Sequence, residues 1–134
     1  MHWIQRQLDS IGVQLFYETT GTLSPNIAPP MEFTAWNTII AEGDAKEPAR
    51  DLLVTAHLSV PVDEANVHVP LTIKVTARDG KIIVKRTFRS LFFQGGSTVR
   101  AVFVPDATCL GLTKIEALFG SQRKSVTLQL ECGE

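Results

Sequence analysis

Leu52-Leu53-Val54-Thr55-Ala56-His57-Leu58-Ser59-Val60 decides how this chain is read: every second residue, Leu52, Val54, Ala56, Leu58 and Val60, belongs to an apolar comb. Successive side chains of a strand point to opposite faces, so a period of two means a strand with one buried face. The comb returns at Leu71, Ile73, Val75 and Ala77, then at Val99, Ala101 and Phe103. It returns again at Ile115, Ala117 and Phe119, and at Val126, Leu128 and Leu130. Turn residues separate the runs. The pattern predicts an all-β domain.

Turn chemistry supports this. Asp79-Gly80 lies between two alternating runs, about residues 70–78 and 81–89. Such a dipeptide suits a two-residue type I′ turn, which needs positive φ at both central positions. That loop places Val75 opposite Val84 and Leu71 opposite Phe88, all on one face. A last hairpin is expected over 112–119 and 124–132, around Gly120-Ser121-Gln122-Arg123, with Ile115 opposite Leu128.

Upstream, residues 1–23 form an arm open to two readings. Trp3, Ile4, Leu8, Ile11 and Leu15 lie near a helical spacing, whereas Val13, Leu15 and Tyr17 suit a strand. Ser24-Pro25-Asn26-Ile27-Ala28-Pro29-Pro30 is a connector, because proline blocks ladders and restricts its predecessor. A first sandwich strand is expected over 32–41, with Trp36 and Ile39-Ile40 giving apolar bulk. The expected organisation is therefore an arm and connector over 1–30 and a β-sandwich over 31–134.

Seven strand-like runs in roughly 100 residues are the cue for an immunoglobulin-like sandwich. Pro105-Asp106, Gly111, Ile115, Ala117, Gly120 and Ser125-Val126-Thr127-Leu128-Gln129-Leu130 resemble the last strands of bacterial immunoglobulin-like domains. The resemblance covers about 30 residues, consists of turns and alternation, and implies an immunoglobulin-like antiparallel β-sandwich without implying a function. The chain departs from the wider pattern in lacking paired intersheet cysteines and in placing Thr113 where a corner tyrosine is expected.

At 134 residues the chain is long enough to fold without a metal or cystine framework. No long apolar stretch lacks interleaved polar residues, so no membrane span is expected. Met1-His2-Trp3-Ile4-Gln5-Arg6-Gln7 does not read as a secretory signal, which predicts a cytoplasmic location. Cys109 and Cys132 fall at one end of the last hairpin and are expected as free buried thiols in a reducing compartment, with a disulfide as the alternative if the protein is exported. Residues 1–73 carry nine acids and three bases, and residues 74–134 carry five acids and ten bases. Packing of the two halves is expected to compensate this asymmetry.

Candidate sites are few. Lys74, Arg78, Lys81, Lys85 and Arg89 share the non-core face of the 70–89 hairpin by parity. Like charges placed opposite each other need a compensating acid or an anionic partner. Arg86 falls on the core face, which calls for a buried partner, an edge-protecting role or a bulge. Phe92 and Phe93, beside Gly95-Gly96, are core residues or a docking patch. Trp3, Ile4, Leu8 and Phe16 of the arm are too apolar to leave in water and must cover either their own sandwich or a neighbour's, which makes the arm the candidate for self-association. His2, His57 and His68 form no ligand set, and no catalytic or phosphate-binding motif is present. No cofactor and no catalysis are expected. The expected role is a protein–protein interaction or assembly module, partnering another protein or itself. The alternative is a binding module for an anionic glycan, lipid or nucleic acid through the basic face. Nucleic acid is disfavoured, because no aromatics interleave the bases in a recognisable module.

Overall fold

A computed structural model describes residues 6–29, 33, 35–36 and 38–131. The elements in chain order are β1 (Gln7–Tyr17), β2 (Thr22–Leu23), β3 (Ala35–Trp36), a 3₁₀ turn (Thr38–Ile40), β4 (Ala49–Ser59), β5 (Asn66–Val67), β6 (Leu71–Thr76), β7 (Ile82–Phe88), β8 (Leu91–Phe92), β9 (Ser97–Val104), β10 (Gly111–Phe119) and β11 (Gln122–Glu131). One sheet has the order β2-β1-β4-β9 and the other β3-β11-β10-β6-β7, with β5-β8 as a small third sheet. The ladders are antiparallel except for β3, which runs parallel to β11. The expected all-β sandwich is the architecture observed.

The combs of β4, β6 and β10 point inward. Leu52, Val54, Ala56, Leu58, Leu71, Ile73, Val75, Ile115, Ala117 and Phe119 share one buried core. Val126 and Leu128 of β11 pack against it, half-buried, and Leu130 is fully within it. Burying side chains of this size stabilises by roughly 1.5–3 kcal/mol each.

The N-terminal segment is not an appendage. β1 pairs with β4 from Gln7 to Tyr17 and buries Leu8, Ile11, Val13 and Leu15. A register shift between Leu8 and Ser10 breaks the period of two there. That irregularity puts Leu8 and Ile11, three apart, on the buried side, which imitates a helical spacing. The connector then lies along the free side of β1. Leu15 N donates to Ser24 Oγ at 2.8 Å and Val13 N to Asn26 Oδ1 at 2.8 Å, while Ile27 N donates to Val13 O at 2.7 Å. Backbone groups that a neighbouring strand would satisfy are thus met by side chains and loop backbone. One further bond pair joins the start of β1 to the last hairpin. Gln122 Oε1 accepts from Leu8 N at 2.9 Å, and Gln122 Nε2 donates to Arg6 O at 2.6 Å.

Several expectations change in detail. β9 buries Val102 and Val104, while Val99, Ala101 and Phe103 face outward. Both parities of this strand carry apolar residues, and pairing of Val54 with Val102 and Leu52 with Val104 decides between them. The strand expected over 32–41 is, among its described residues, the two-residue β3 followed by the 3₁₀ turn. The last hairpin turns tightly at Gly120-Ser121, with Phe119 opposite Gln122 and Ile115 opposite Val126 rather than Leu128. The 77–81 loop is not a two-residue turn. Gly80 N donates to Ala77 O and Ala77 N to Lys81 O, each at 2.9 Å, with Gly80 at φ 87°. This is a three-residue loop closed by a glycine in the left-handed region. A bulge opposite Val75/Thr76 then restores the expected pairs, Val75 with Val84 and Leu71 with Phe88. Cys109 is exposed and disulfide-bonded, not a buried free thiol. Cys132 lies outside the described residues.

Candidate binding surfaces

The outer face of the five-stranded sheet is the basic one. β6 pairs with both β7 and β10, and β10 with β11, so the rows can be read straight across. One row runs Lys85, Lys74, Glu116, Ser125. The next runs Thr87, Thr72, Leu118, Arg123, and Lys114 stands between Thr76 and Thr127. Lys74, Lys85, Lys114 and Arg123 therefore share a face with the carboxylate of Glu116, and Glu131 lies further along β11 on the same side. Glu116 is buried to 7% exposure, with Lys74 Nζ at 3.6 Å, Lys114 Nζ at 3.8 Å and Arg123 Nη1 at 4.0 Å. A carboxylate so enclosed is held by its cations, and it answers the Lys74–Lys85 opposition from the next strand. The described ion pairs do not bridge the two halves of the chain: Arg6–Glu64 and Arg50–Glu18 lie in the acidic half, and those of Glu116 in the basic half.

Of the basic residues singled out in the sequence, Lys74 and Lys85 come together on this face. Arg78 and Lys81 are exposed at the hairpin tip, and Arg89 is exposed beyond the far end of β7. Lys114 and Arg123 were not singled out; the parity of Lys114 with Glu116 on the non-core side of β10 was the available signal. Arg86 keeps its place opposite Ile73 but is exposed, its guanidinium 4.4 Å from the centre of the Phe88 ring. All of β7 is exposed or half-buried, so its inward side is incompletely covered at this edge of the sandwich. An arginine can sit there without a buried partner, stacked on an aromatic face.

The outer face of the four-stranded sheet carries an apolar stripe among polar residues. Its rows run Leu23, Phe16, Asp51; then Gln14, Leu53, Phe103; then Gly12, Thr55, Ala101; then Ser10, His57, Val99. Phe103 is 48% exposed and Val99 47%. Phe16 and Phe103 meet edge to face across the sheet, ring centres 5.8 Å apart at 78°. With Leu23 at 43% exposure and Leu53 half-buried, apolar side chains cross all four strands. A contiguous patch of this kind marks an interaction surface more often than scattered single residues do.

This face redistributes the aromatic candidates. Leu8 is buried in its own sandwich, and Phe16 is half-buried on the apolar face. Trp3 and Ile4 lie outside the described residues. Phe93 is core, at 2% exposure, which removes it as a docking residue, whereas Phe92 is exposed. Among the described residues no three His, Cys, Asp or Glu side chains gather to hold a metal ion, and no helix is long and apolar enough to cross a membrane. Open grooves run between the edges of β1 and β11, one lined by Gln7, Leu8, Asp9, Gln122, Arg123 and Lys124.

No family model matches the chain, and no curated protein does.

Proposed function

We propose that this chain is a non-catalytic interaction module of immunoglobulin-like topology that assembles through the apolar face of its four-stranded sheet. The strand order supports the topology. Counting the seven long strands, the first, second and fifth (β1, β4, β9) share one sheet, and the third, fourth, sixth and seventh (β6, β7, β10, β11) share the other. That is the partition of A, B, E against C, C′, F, G in immunoglobulin domains. The observation that carries the assembly reading is the outward apolar stripe of Phe16, Leu53, Phe103, Ala101 and Val99. The disulfide at Cys109 favours an oxidising compartment over the reducing cytoplasm.

Light scattering during size-exclusion chromatography tests the reading. An oligomer is expected at low and at high salt, because apolar burial does not weaken as charge contacts do. Phe103→Ser, at a surface position, should dissociate it while leaving the fold intact. A monomer at both salts and at all concentrations refutes it.

A second reading rests on a different observation, the four cations that gather on one face around Glu116 and outnumber the acids there. That face suits an anionic ligand such as a sulfated or carboxylated glycan.

A further inference from the structure

The rows of the basic face continue past Lys114. Beyond the row of Thr76, Lys114 and Thr127, β10 presents Leu112 opposite Gln129, and the chain leaving β6 reaches Arg78. Thr76, Arg78, Gly80, Leu112, Lys114 and Thr127 surround a hollow of about 270 Å³. That is small for a ligand pocket and suits one unit of a longer ligand. Leu112, 47% exposed, gives the hollow an apolar surface. Arg78 and Lys114 bring a cation each, and Thr76 and Thr127 a hydroxyl each. Arg78 belongs to none of the described ion pairs. The acids at this end are turned elsewhere: Asp79 Oδ1 accepts from Lys81 N at 3.0 Å, and Glu131 accepts from Gln129 Nε2.

From the hollow the cations lead across the sheet. Lys74, Lys114 and Arg123 converge on Glu116, three positive charges on one negative, and their side chains stay 32%, 54% and 64% exposed. Such groups are already arranged around an anion and keep further N–H donors for a second one. Lys85 lies in the same row as Lys74 and Glu116. Leu112, level with Arg78, and Leu118, level with Arg123, stand six residues apart on β10, about 20 Å at about 3.4 Å per residue.

We propose that this face binds a linear sulfated or carboxylated glycan. One sugar unit sits in the hollow against Leu112, its anionic group between Arg78 and Lys114, and the anionic groups of neighbouring units lie along Lys74, Lys85 and Arg123. This rests on the anionic-ligand reading above and names its ligand and its anchoring point. Three observations favour a glycan among polyanions. The hollow sets hydroxyls beside an apolar surface, which matches a ring carrying both hydroxyl groups and C–H faces. No aromatic side chain stands in these rows, so nucleic-acid bases find no stacking platform. Cys109, which borders the same hairpin tip, is disulfide-bonded, as in an oxidising compartment outside the cytoplasm.

Calorimetric titration of the full chain with a heparin hexasaccharide at low salt tests the proposal. Arg78→Gln should weaken binding about tenfold, the worth of a charge-assisted contact, whereas Lys81→Gln should change it less than about twofold. Lys81 carries the same charge at the same tip but lies outside the hollow. Leu112→Ser alters no charge and should still weaken binding about threefold or more, because it removes the apolar surface. Circular dichroism checks that each variant folds, and if Leu112→Ser does not, the Arg78 and Lys81 pair decides. That order of losses supports the proposal. Equal losses for Arg78→Gln and Lys81→Gln, or a folded Leu112→Ser that binds as the wild type does, overturn it and leave a diffuse attraction for anions standing. A single-stranded oligonucleotide that displaces the hexasaccharide at equal charge overturns the choice of a glycan. A wild-type chain that binds no heparin fragment overturns both the proposal and the anionic-ligand reading.

Discussion

Glu116→Gln should cost the fold about 1–2 kcal/mol, and most of that cost should vanish in salt. The side chain of Glu116 is 9% exposed and has three cations within 4.0 Å. At such distances each pair is worth about 1 kcal/mol in a water-like medium. Ordering of the long side chains reduces an exposed pair to about 0.2–1 kcal/mol. Lys74, Lys114 and Arg123 are 32%, 54% and 64% exposed, which places them in that screened range. Three such pairs give about 1–2 kcal/mol. The glutamine keeps shape and hydrogen-bonding capacity, so the loss is chiefly charge. It also leaves Lys74 and Lys85 opposed without a counter-charge. The assay is urea unfolding followed by circular dichroism at 20 mM and 1 M NaCl. The midpoint should fall with the slope unchanged. At 1 M salt the screening length shrinks to about 3 Å, and the deficit should drop below half. A variant as stable as the wild type at low salt, or one equally destabilised at both salts, would show that Glu116 is not held by its cations.

Gly12→Ala should destabilise, although alanine is normally the better strand residue by about 0.5–1 kcal/mol; its Cβ would stand 2.5 Å from Thr55 Oγ1, and overpacking costs about 1–3 kcal/mol. A double-mutant cycle with Thr55→Ala should recover most of the loss, and additive effects would refute the clash. Reversing Lys74, Lys85 and Lys114 to glutamate should abolish retention on heparin; a wild-type protein not retained at low salt removes the anionic-ligand reading.

The sandwich was legible wherever one parity of a strand was apolar and the other was not. β4, β6 and β10 meet that condition, and their combs are buried as read. β9 does not, because Val99, Ala101 and Phe103 alternate with Val102 and Val104. Only the partner strand chooses between such parities, and pairing with β4 is a long-range fact that no local window contains. The arm was ambiguous for another reason: the irregularity between Leu8 and Ser10 inserts an extra residue just where the period should announce a strand. The basic hairpin was visible as a charge run, yet its counter-ion came from β10, some thirty residues further on. The apolar face stayed hidden for the same reason as β9, since misreading that strand placed Phe103 inside. Two local turn readings, at Asp79-Gly80 and at Gly120, located the reversals but not the loop lengths, which depend on where each strand's bulges fall.

Gln122 ties the two ends of the chain's history together. Its amide holds the backbone of Arg6 and Leu8 across 116 and 114 residues of sequence. β1 can meet β4, and Arg6 can meet Glu64, once about sixty-five residues exist, but the bonds to Gln122 need the 120s hairpin. Contacts of such separation are slow to form, because the chain must be closed into a long loop before they reward it. The two Gln122 bonds are therefore expected to form late when the chain refolds, so that the 120s hairpin clasps the start of β1 after its ladder with β4 is in place.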